Sequence, residues 1–424
     1  MLAYGRCTFS RSLVGCLQQL SRAEDLTLSC LNERRRFSTG RPGIVQWVGQ
    51  CSSSPVAQIV QRSAARRGNV SRSRKLTMSA KAFAGTDELA AYISEGPLNS
   101  LAGITPESVT KNIDEWQELG GFIASNLKFG STDKLDAAQR QRIFHLYLPV
   151  FFWIRGQLER HRSRRSADNK SPLMLGMSAP QGCGKTTLVE QLEALFEHTG
   201  GKAAVFSMDD CYLTRADQEQ LAKDFPDNGL FQVRGNAGTH DLPLGKKTLL
   251  ELQNAGTSGT EVRIPKYDKA AHSGKGDRKD PADWTVVKGP VDVVLFEGWM
   301  FGFRELPAHD AFKANKDLAE VNARLRHYVN AWDTFMDSWL VLKVADPQWV
   351  YGWREQAEQS RRAEGSGMSE PEVKDFVSRY MPAYLAYLPS LYARGPTTAQ
   401  PGRLLTIAVD RDRSLAPVQP KKVK

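Results

Sequence analysis

The sequence predicts an α/β fold, a parallel sheet flanked by helices and preceded by a layer made of helices alone. Three observations predict it. The apolar run 173–177 passes through a glycine-rich turn into an amphipathic segment carrying Leu188, Leu192, Leu195 and Phe196. Short β-rich runs then recur down the chain with helical stretches between them, the pattern of strands joined by crossover helices. Upstream, residues 82–165 follow a helical pattern.

Taken in order, the helical layer has segments at 87–94, 106–127 and 135–159, separated by glycines and by the turn Gly130-Ser131-Thr132. Its charged end, 160–165, reads as a solvated linker. Strands follow at 174–179, 203–208, 291–296, 339–344 and 404–409. Asp346 before Pro347 marks a helix start, because proline lacks an N–H that a first turn leaves unpaired anyway, and Ser369 with Glu372 makes a capping box. No repeat period is present. The chain divides into 1–80, a targeting segment; 81–170, helical; 171–415, the α/β domain with an insertion and a lid; and 416–424, a basic tail.

The 424 residues suffice for one large domain or two smaller ones. The formal net charge of +10 resides in residues 1–80, which hold thirteen Lys/Arg against three acids, whereas residues 81–424 hold 44 of each sign. A basic nucleic-acid-binding domain is not indicated. Residues 1–80 are rich in Arg and Ser, poor in acids and without the apolar core of a secretory signal, so they read as an organelle transit peptide, with a disordered tail as the alternative. Cys7, Cys16, Cys30 and Cys51 fall in that segment; Cys183 and Cys211 remain, too few for a disulfide scaffold or a four-cysteine zinc site. The most apolar stretch, 143–154, has Pro149 inside it and falls short of the roughly 20 residues that span a bilayer, so no membrane segment is expected.

The run Ser178-Ala179-Pro180-Gln181-Gly182-Cys183-Gly184-Lys185-Thr186-Thr187, between the first strand and the amphipathic helix, reads as a phosphate-binding loop. Glycines let successive backbone N–H groups turn inward onto an anion, and the helix N-terminus adds positive potential. The sheet is then of the P-loop NTPase type and the chain a nucleotide user: residues 179–187 wrap the phosphates of ATP, Lys185 reaches the β- and γ-phosphates, and Thr186 ligates Mg²⁺. Ala179 stands where the GxxxxGK[ST] pattern asks for its first glycine.

The second strand ends in Ser207-Met208-Asp209-Asp210-Cys211-Tyr212 and is expected to open beside the phosphate loop. Asp209 is placed there to accept a proton from an attacking hydroxyl, the base that phosphoryl transfer needs; an Asp pair capping the next helix is the structural alternative. The third strand ends in Glu297-Gly298, with Glu297 expected to hold Mg²⁺ directly or through water, or else to accept backbone N–H bonds. Gly298 is expected to let the backbone pass close to the ligand.

Between these strands lies a long polar insertion whose Arg234, His240, Asp241, Tyr267, Asp268, His272 and Arg278 suit a small anionic, hydroxylated substrate, although Lys275 and Arg278 also read as solvated surface. The helix after Asp346 carries Arg354, Arg361 and Arg362 and ends in the glycine-bearing stretch 363–367, which suits a lid; Arg354 is the arginine placed to meet the transferring phosphoryl group.

Together the motifs SAPQGCGKTTL, SMDDCY, GNAGTHD, IPKYDKAAHSGKGDR, VVLFEGWMFGF and DPQWVYGWREQAE resemble the plant and algal type of D-glycerate 3-kinase, within a wider group that includes uridine kinase, phosphoribulokinase and pantothenate kinase. The resemblance implies ATP- and Mg²⁺-dependent phosphorylation of D-glycerate to 3-phosphoglycerate, a photorespiratory role, and a chloroplast (otherwise mitochondrial) destination for the transit segment. It also implies that Asp209 is the base, Glu297 the metal residue, and Tyr267, Asp268 and His272 substrate contacts. A kinase for uridine, pantothenate or ribulose phosphate is the nearest alternative. A GTPase-like switch would need an Asn-Lys-x-Asp motif, and Asn315-Lys316-Asp317 lacks the spacer. Cys183, inside the phosphate loop, and Cys211, after the proposed base on a strand read as its neighbour, are either a redox pair or two buried, inert thiols.

Overall fold

The computed structural model describes residues 83, 85–365 and 367–416. The expected transit segment 1–80, with its four cysteines, and residues 417–424 of the expected tail lie outside them.

Six helices precede the sheet: α1 (Thr86–Ser94), α2 (Asn99–Ala102), α3 (Pro106–Lys111), α4 (Ile113–Asn126), α5 (Ala137–Arg140) and α6 (Leu148–Arg164), with a π-helical stretch Gln141–Tyr147 leading into the last. The single helix expected over 106–127 is two, because Asn112 leaves the helical region (φ −115°, ψ 27°) and turns its side-chain amide onto the Ser108 carbonyl at 2.8 Å. The linker expected at 160–165 is helix as far as Arg164. Its arginines have partners elsewhere in the fold: Arg162 ion-pairs with Asp292, and Arg160 donates to the Gly402 carbonyl at 3.0 Å.

The strands are β1 (Leu173–Ser178), β2 (Ala203–Ser207), β3 (Glu261–Ile264), β4 (Tyr267–Asp268), β5 (Asp277–Arg278), β6 (Thr285–Lys288), β7 (Val293–Gly298), β8 (Ser338–Val344) and β9 (Leu404–Val409). Five form one parallel sheet in the order β2-β7-β1-β8-β9, and the insertion adds two small antiparallel pairs, β3 with β6 and β4 with β5. The remaining helices are α7 (Lys185–His198), α8 (Arg215–Asp224), α9 (Leu242–Gln253), α10 (Ala308–Ala314), α11 (Leu318–Ala331), α12 (Trp349–Ala363), α13 (Glu370–Ser378) and α14 (Met381–Arg394). The α/β class with a parallel, helix-flanked sheet is as the sequence predicts.

β1 and β7 are buried along their whole length, as a sheet covered on both faces demands. The helical layer meets α7 through Phe151 against Phe196 (5.2 Å between rings) and Phe122 stacked on His198 (4.0 Å). An aromatic chain lies against the sheet: Phe206 meets Phe296 at 4.9 Å, Phe296 meets Phe301 at 4.8 Å, and Phe301 meets Trp339 at 4.6 Å. Gly176 makes room for it, since a Cβ there would lie 2.7 Å from the Trp339 ring.

Strand order corrects one expectation. β2 does not adjoin β1; β7 lies between them, with Ser207 opposite Glu297 and Glu297 opposite Met177. The end of β7 therefore separates the phosphate loop from Asp209. Gly298 has a packing role: a Cβ there would sit 1.9 Å from the Met208 sulfur, so the glycine lets β7 pass the buried Met208, which opens the turn after β2. One helix start behaves as read: Glu372 accepts from both the N–H and the hydroxyl of Ser369 at 2.7 Å. The other does not: α12 begins at Trp349 with Gln348 as its N-cap, and Asp346 accepts the Gln348 N–H at 2.9 Å in the turn before it.

Candidate active site

Residues 179–184 carry the chain from β1 into α7. Gly182 and Gly184 have φ of +77° and +95°, a region that disfavours side chains, and a Cβ on Gly182 would meet Trp353 Cβ at 2.7 Å. Ala179 is different. It is buried, its N–H donates to Gly298 O at 3.1 Å, and it is not among the residues with positive φ, so no glycine is required at that motif position. Gly184 caps α7, whose first-turn N–H groups open at the loop.

Two distant residues hold the loop's shape. Tyr384 of α14 accepts the Gln181 N–H at 3.0 Å, and Arg413, beyond β9, donates to Gly182 O at 2.6 Å with its guanidinium over the Trp353 ring. A cavity of about 70 Å³ opens against the loop, lined by Arg142, Tyr147, Cys183, Thr187, Leu342 and Arg413 among others.

At the head of α7 the Lys185 ammonium ion-pairs with the Glu297 carboxylate from the end of β7, both side chains being largely buried. Thr186 is exposed and Thr187 half-buried in the same turn. Beyond β7, Asp209 Oδ2 pairs with Lys269 Nζ at 2.6 Å, and its Oδ1 accepts the Tyr212 hydroxyl at 3.0 Å. Burial alone would raise the Asp209 pKa. The Lys269 charge and hydrogen bond, with Lys185 and His240 further off, outweigh it and hold the group at about 2. The adjacent Asp210 does another job: Oδ1 accepts the Tyr267 N–H at 3.1 Å and Oδ2 meets Lys266 Nζ at 3.2 Å, with burial keeping its pKa raised. One acid faces the loop's charges and the other fastens the insertion.

The remaining site residues divide by what already occupies them. Arg234 donates to the carbonyls of Gly274 (2.9 Å), Lys275 and Lys269 (3.2 Å), which ties down the turn 269–275. Arg278 donates to Tyr212 O at 2.9 Å and pairs with Asp241 at 3.0 Å, while Asp241 also caps α9 by accepting Leu244 N–H at 2.9 Å. Tyr267 is buried against Tyr212 and beneath the Arg234 guanidinium. Asp268 accepts the N–H groups of Ala270 (2.9 Å) and Ala271 (3.2 Å). His272, exposed and at φ +53°, sits 3.3 Å from Asp277. Arg354 pairs with the buried Glu358 at 2.7 Å and lies over Phe376.

His240 is buried and stacked on Tyr212, and burial holds its imidazole down to about 3, so it is neutral. Its Nδ1 lies 2.8 Å from the Tyr328 hydroxyl, which already accepts the Gly238 N–H at 2.8 Å. Which of the two donates depends on the imidazole tautomer. Nε2 is buried without a protein partner.

Both cysteines are buried and free. Burial pushes the Cys183 thiol up to about 12 despite Lys185, and raises Cys211 well above its ordinary value. The strand assumed to bring Cys211 beside Cys183 is one strand further away, so the sulfurs read as inert. Lys269, Tyr384 and Arg413 are site residues that the sequence motifs do not mark. Only Lys269 had a signal there, as a further cation directly after Tyr267-Asp268.

Among the described residues no cluster of three or more His, Cys, Asp or Glu side chains could hold a metal ion, and no helix is long and apolar enough to cross a membrane.

No family model matches the chain. The chloroplastic D-glycerate 3-kinase of Arabidopsis thaliana is 46% identical over 329 residues, covering 77% of this chain and 72% of that one. An uncharacterized kinase of Schizosaccharomyces pombe is 40% identical over 233 residues, or 52% of this chain and 82% of its own. Among solved structures, D-glycerate 3-kinase from Cryptococcus neoformans superposes with a TM-score of 0.59 at 33% identity, covering 64% of this chain and 98% of that one. With the phosphate loop, the parallel sheet and the paired Asp209 in place, the chain is an enzyme and belongs to the D-glycerate 3-kinase family.

Proposed function

We propose that this enzyme transfers the γ-phosphoryl group of ATP to the primary hydroxyl of D-glycerate, giving 3-phosphoglycerate and ADP. The observation that carries the chemistry is Asp209. It is an ionised carboxylate at the end of β2, hydrogen-bonded by Tyr212 and within electrostatic reach of Lys185. Asp209 takes the proton of the acceptor hydroxyl as its oxygen attacks the γ-phosphorus, and the bond to the β-phosphate oxygen breaks. Lys185 leaves Glu297 for the β- and γ-phosphates, whose charge it offsets together with the N–H groups of residues 181–187. The buried, unpartnered Nε2 of His240 offers a hydrogen bond to the acceptor, and Arg354 supplies positive charge from α12. Arg234, Asp241, Tyr267, Asp268, His272 and Arg278 shape the acceptor wall through the contacts described above. The purine lies in the cavity between Tyr147, Thr187, Leu342 and Arg413.

The hydroxyl of Thr186 and the carboxylate of Glu297 are hard oxygen donors, which suits Mg²⁺, an ion that keeps water and phosphate oxygens as its other ligands. When bound, that ion would neutralise phosphate charge. Because one relative is chloroplastic and residues 1–80 have transit-like composition, we place the enzyme in a plastid, recovering photorespiratory glycerate.

The test is transfer from ATP to D-glycerate by the purified chain, beside uridine, pantothenate and ribulose phosphate. Formation of ADP and 3-phosphoglycerate in equal amounts is expected. A better turnover number on any other acceptor would displace glycerate.

A further inference from the structure

A carboxylate substrate entering beside Asp209 brings a second negative charge next to the first, and needs a cation with donors to spare. Most cations around the site are already engaged by protein groups. Arg234 and Arg278 are committed to backbone carbonyls and Asp241, Lys266 to Asp210, and Lys185 to Glu297, where it awaits the phosphates. Lys269 combines three features. Its ammonium touches Asp209 at 2.6 Å through one donor, which leaves two. Its side chain is 57% exposed, against 16% for Arg278 and 17% for Lys185. Its backbone is fixed, because Arg234 holds its carbonyl at 3.2 Å and Asp268 accepts the next two N–H groups.

We infer that Lys269 is the residue that selects the acceptor by its carboxylate, with one ammonium bridging the carboxylate of the substrate and that of Asp209. This rests on the proposed function and names the contact that makes the site prefer a hydroxy acid. The bridge also sets distance. In glycerate the reacting oxygen is three bonds from the carboxyl carbon, so a carboxylate held at about 2.8 Å from Nζ brings that hydroxyl alongside Asp209. The shared ammonium offsets the repulsion between the two carboxylates, which would otherwise oppose binding.

The test compares the full-length wild type, Lys269→Met and Lys269→Arg on D-glycerate and on its neutral amide, 2,3-dihydroxypropanamide. Each acceptor is read as KM, or as the inhibition constant against glycerate phosphorylation where turnover is slow. Loss of a charge-assisted hydrogen bond should raise KM for glycerate about 10- to 100-fold in K269M. The constant for the amide should change less than about threefold, and K269R should restore part of the preference. A K269M enzyme that keeps the wild-type preference for glycerate over the amide would overturn the inference, as would equal weakening for both acceptors, which marks a merely structural lysine. Failure of the wild type itself to phosphorylate glycerate would instead overturn the proposed function, so the two failures are distinct.

Discussion

Replacing Asp209 by Asn preserves size and removes one charge, which separates the residue's two roles. The catalytic role predicts a fall in kcat on glycerate of about 10²- to 10⁴-fold with ATP binding retained, because Asn cannot take the hydroxyl proton. The electrostatic role has a sign and a window. The folded-state pKa is about 2, below an unfolded value near 4, so the pairing with Lys269 stabilises the protein above about pH 4 and is lost as pH falls through about 2. Two pKa units correspond to about 2 to 3 kcal/mol, of which about half is gone by pH 3. Urea unfolding of wild type and D209N should therefore show a stability gap that narrows by about 1 kcal/mol between pH 6 and pH 3. A gap independent of pH would refute the charge assignment. The assay for the catalytic half is steady-state turnover of D209N beside Asp210→Asn. Asp210 holds Tyr267 and Lys266, so its change should act mainly on stability and acceptor KM. If D210N lowers kcat more than D209N, the roles are reversed.

Three further outcomes follow from the same contacts. Lys185→Ala should lower kcat by orders of magnitude with the fold intact by circular dichroism, since the ammonium serves charge developing in transfer; wild-type turnover in that variant would remove the phosphate-loop assignment. Oxidant treatment should leave the activity of the wild type and of Cys183→Ser and Cys211→Ser alike, because burial keeps both thiols protonated; reversible inactivation restored by dithiol would contradict this. Gly298→Ala should cost about 1 to 3 kcal/mol in urea unfolding through its clash with Met208, with part recovered in the G298A/M208A double variant; a G298A protein as stable as the wild type would show that β7 and Met208 can move apart.

What the sequence by itself determined is whatever is written in consecutive residues. The run Gly182 to Thr187 carries its chemistry within one turn, because the groups that bind phosphate are neighbours along the backbone. The five strands are likewise legible within a residue or two, since each is a short, mostly apolar run that reads as a strand from its own residues. The family motifs, read as contiguous words, already pointed to the kinase class and to Asp209 and Glu297 at strand ends. The tertiary structure decided which charges meet. Lys269 reaches Asp209 across 60 positions, Glu297 reaches Lys185 across 112, Tyr384 takes the Gln181 N–H across 203, and Arg413 takes the Gly182 carbonyl across 231. Strand order belongs to the same class, because whether β7 lies between β2 and β1 depends on how the crossovers pack and not on any one strand. It is also why Arg234 and Arg278, which as residue types suit an anion, bind backbone carbonyls, leaving Lys269 the exposed ammonium beside Asp209. A guanidinium's partners are set by which carbonyls the fold brings within about 3 Å, and composition carries no record of that.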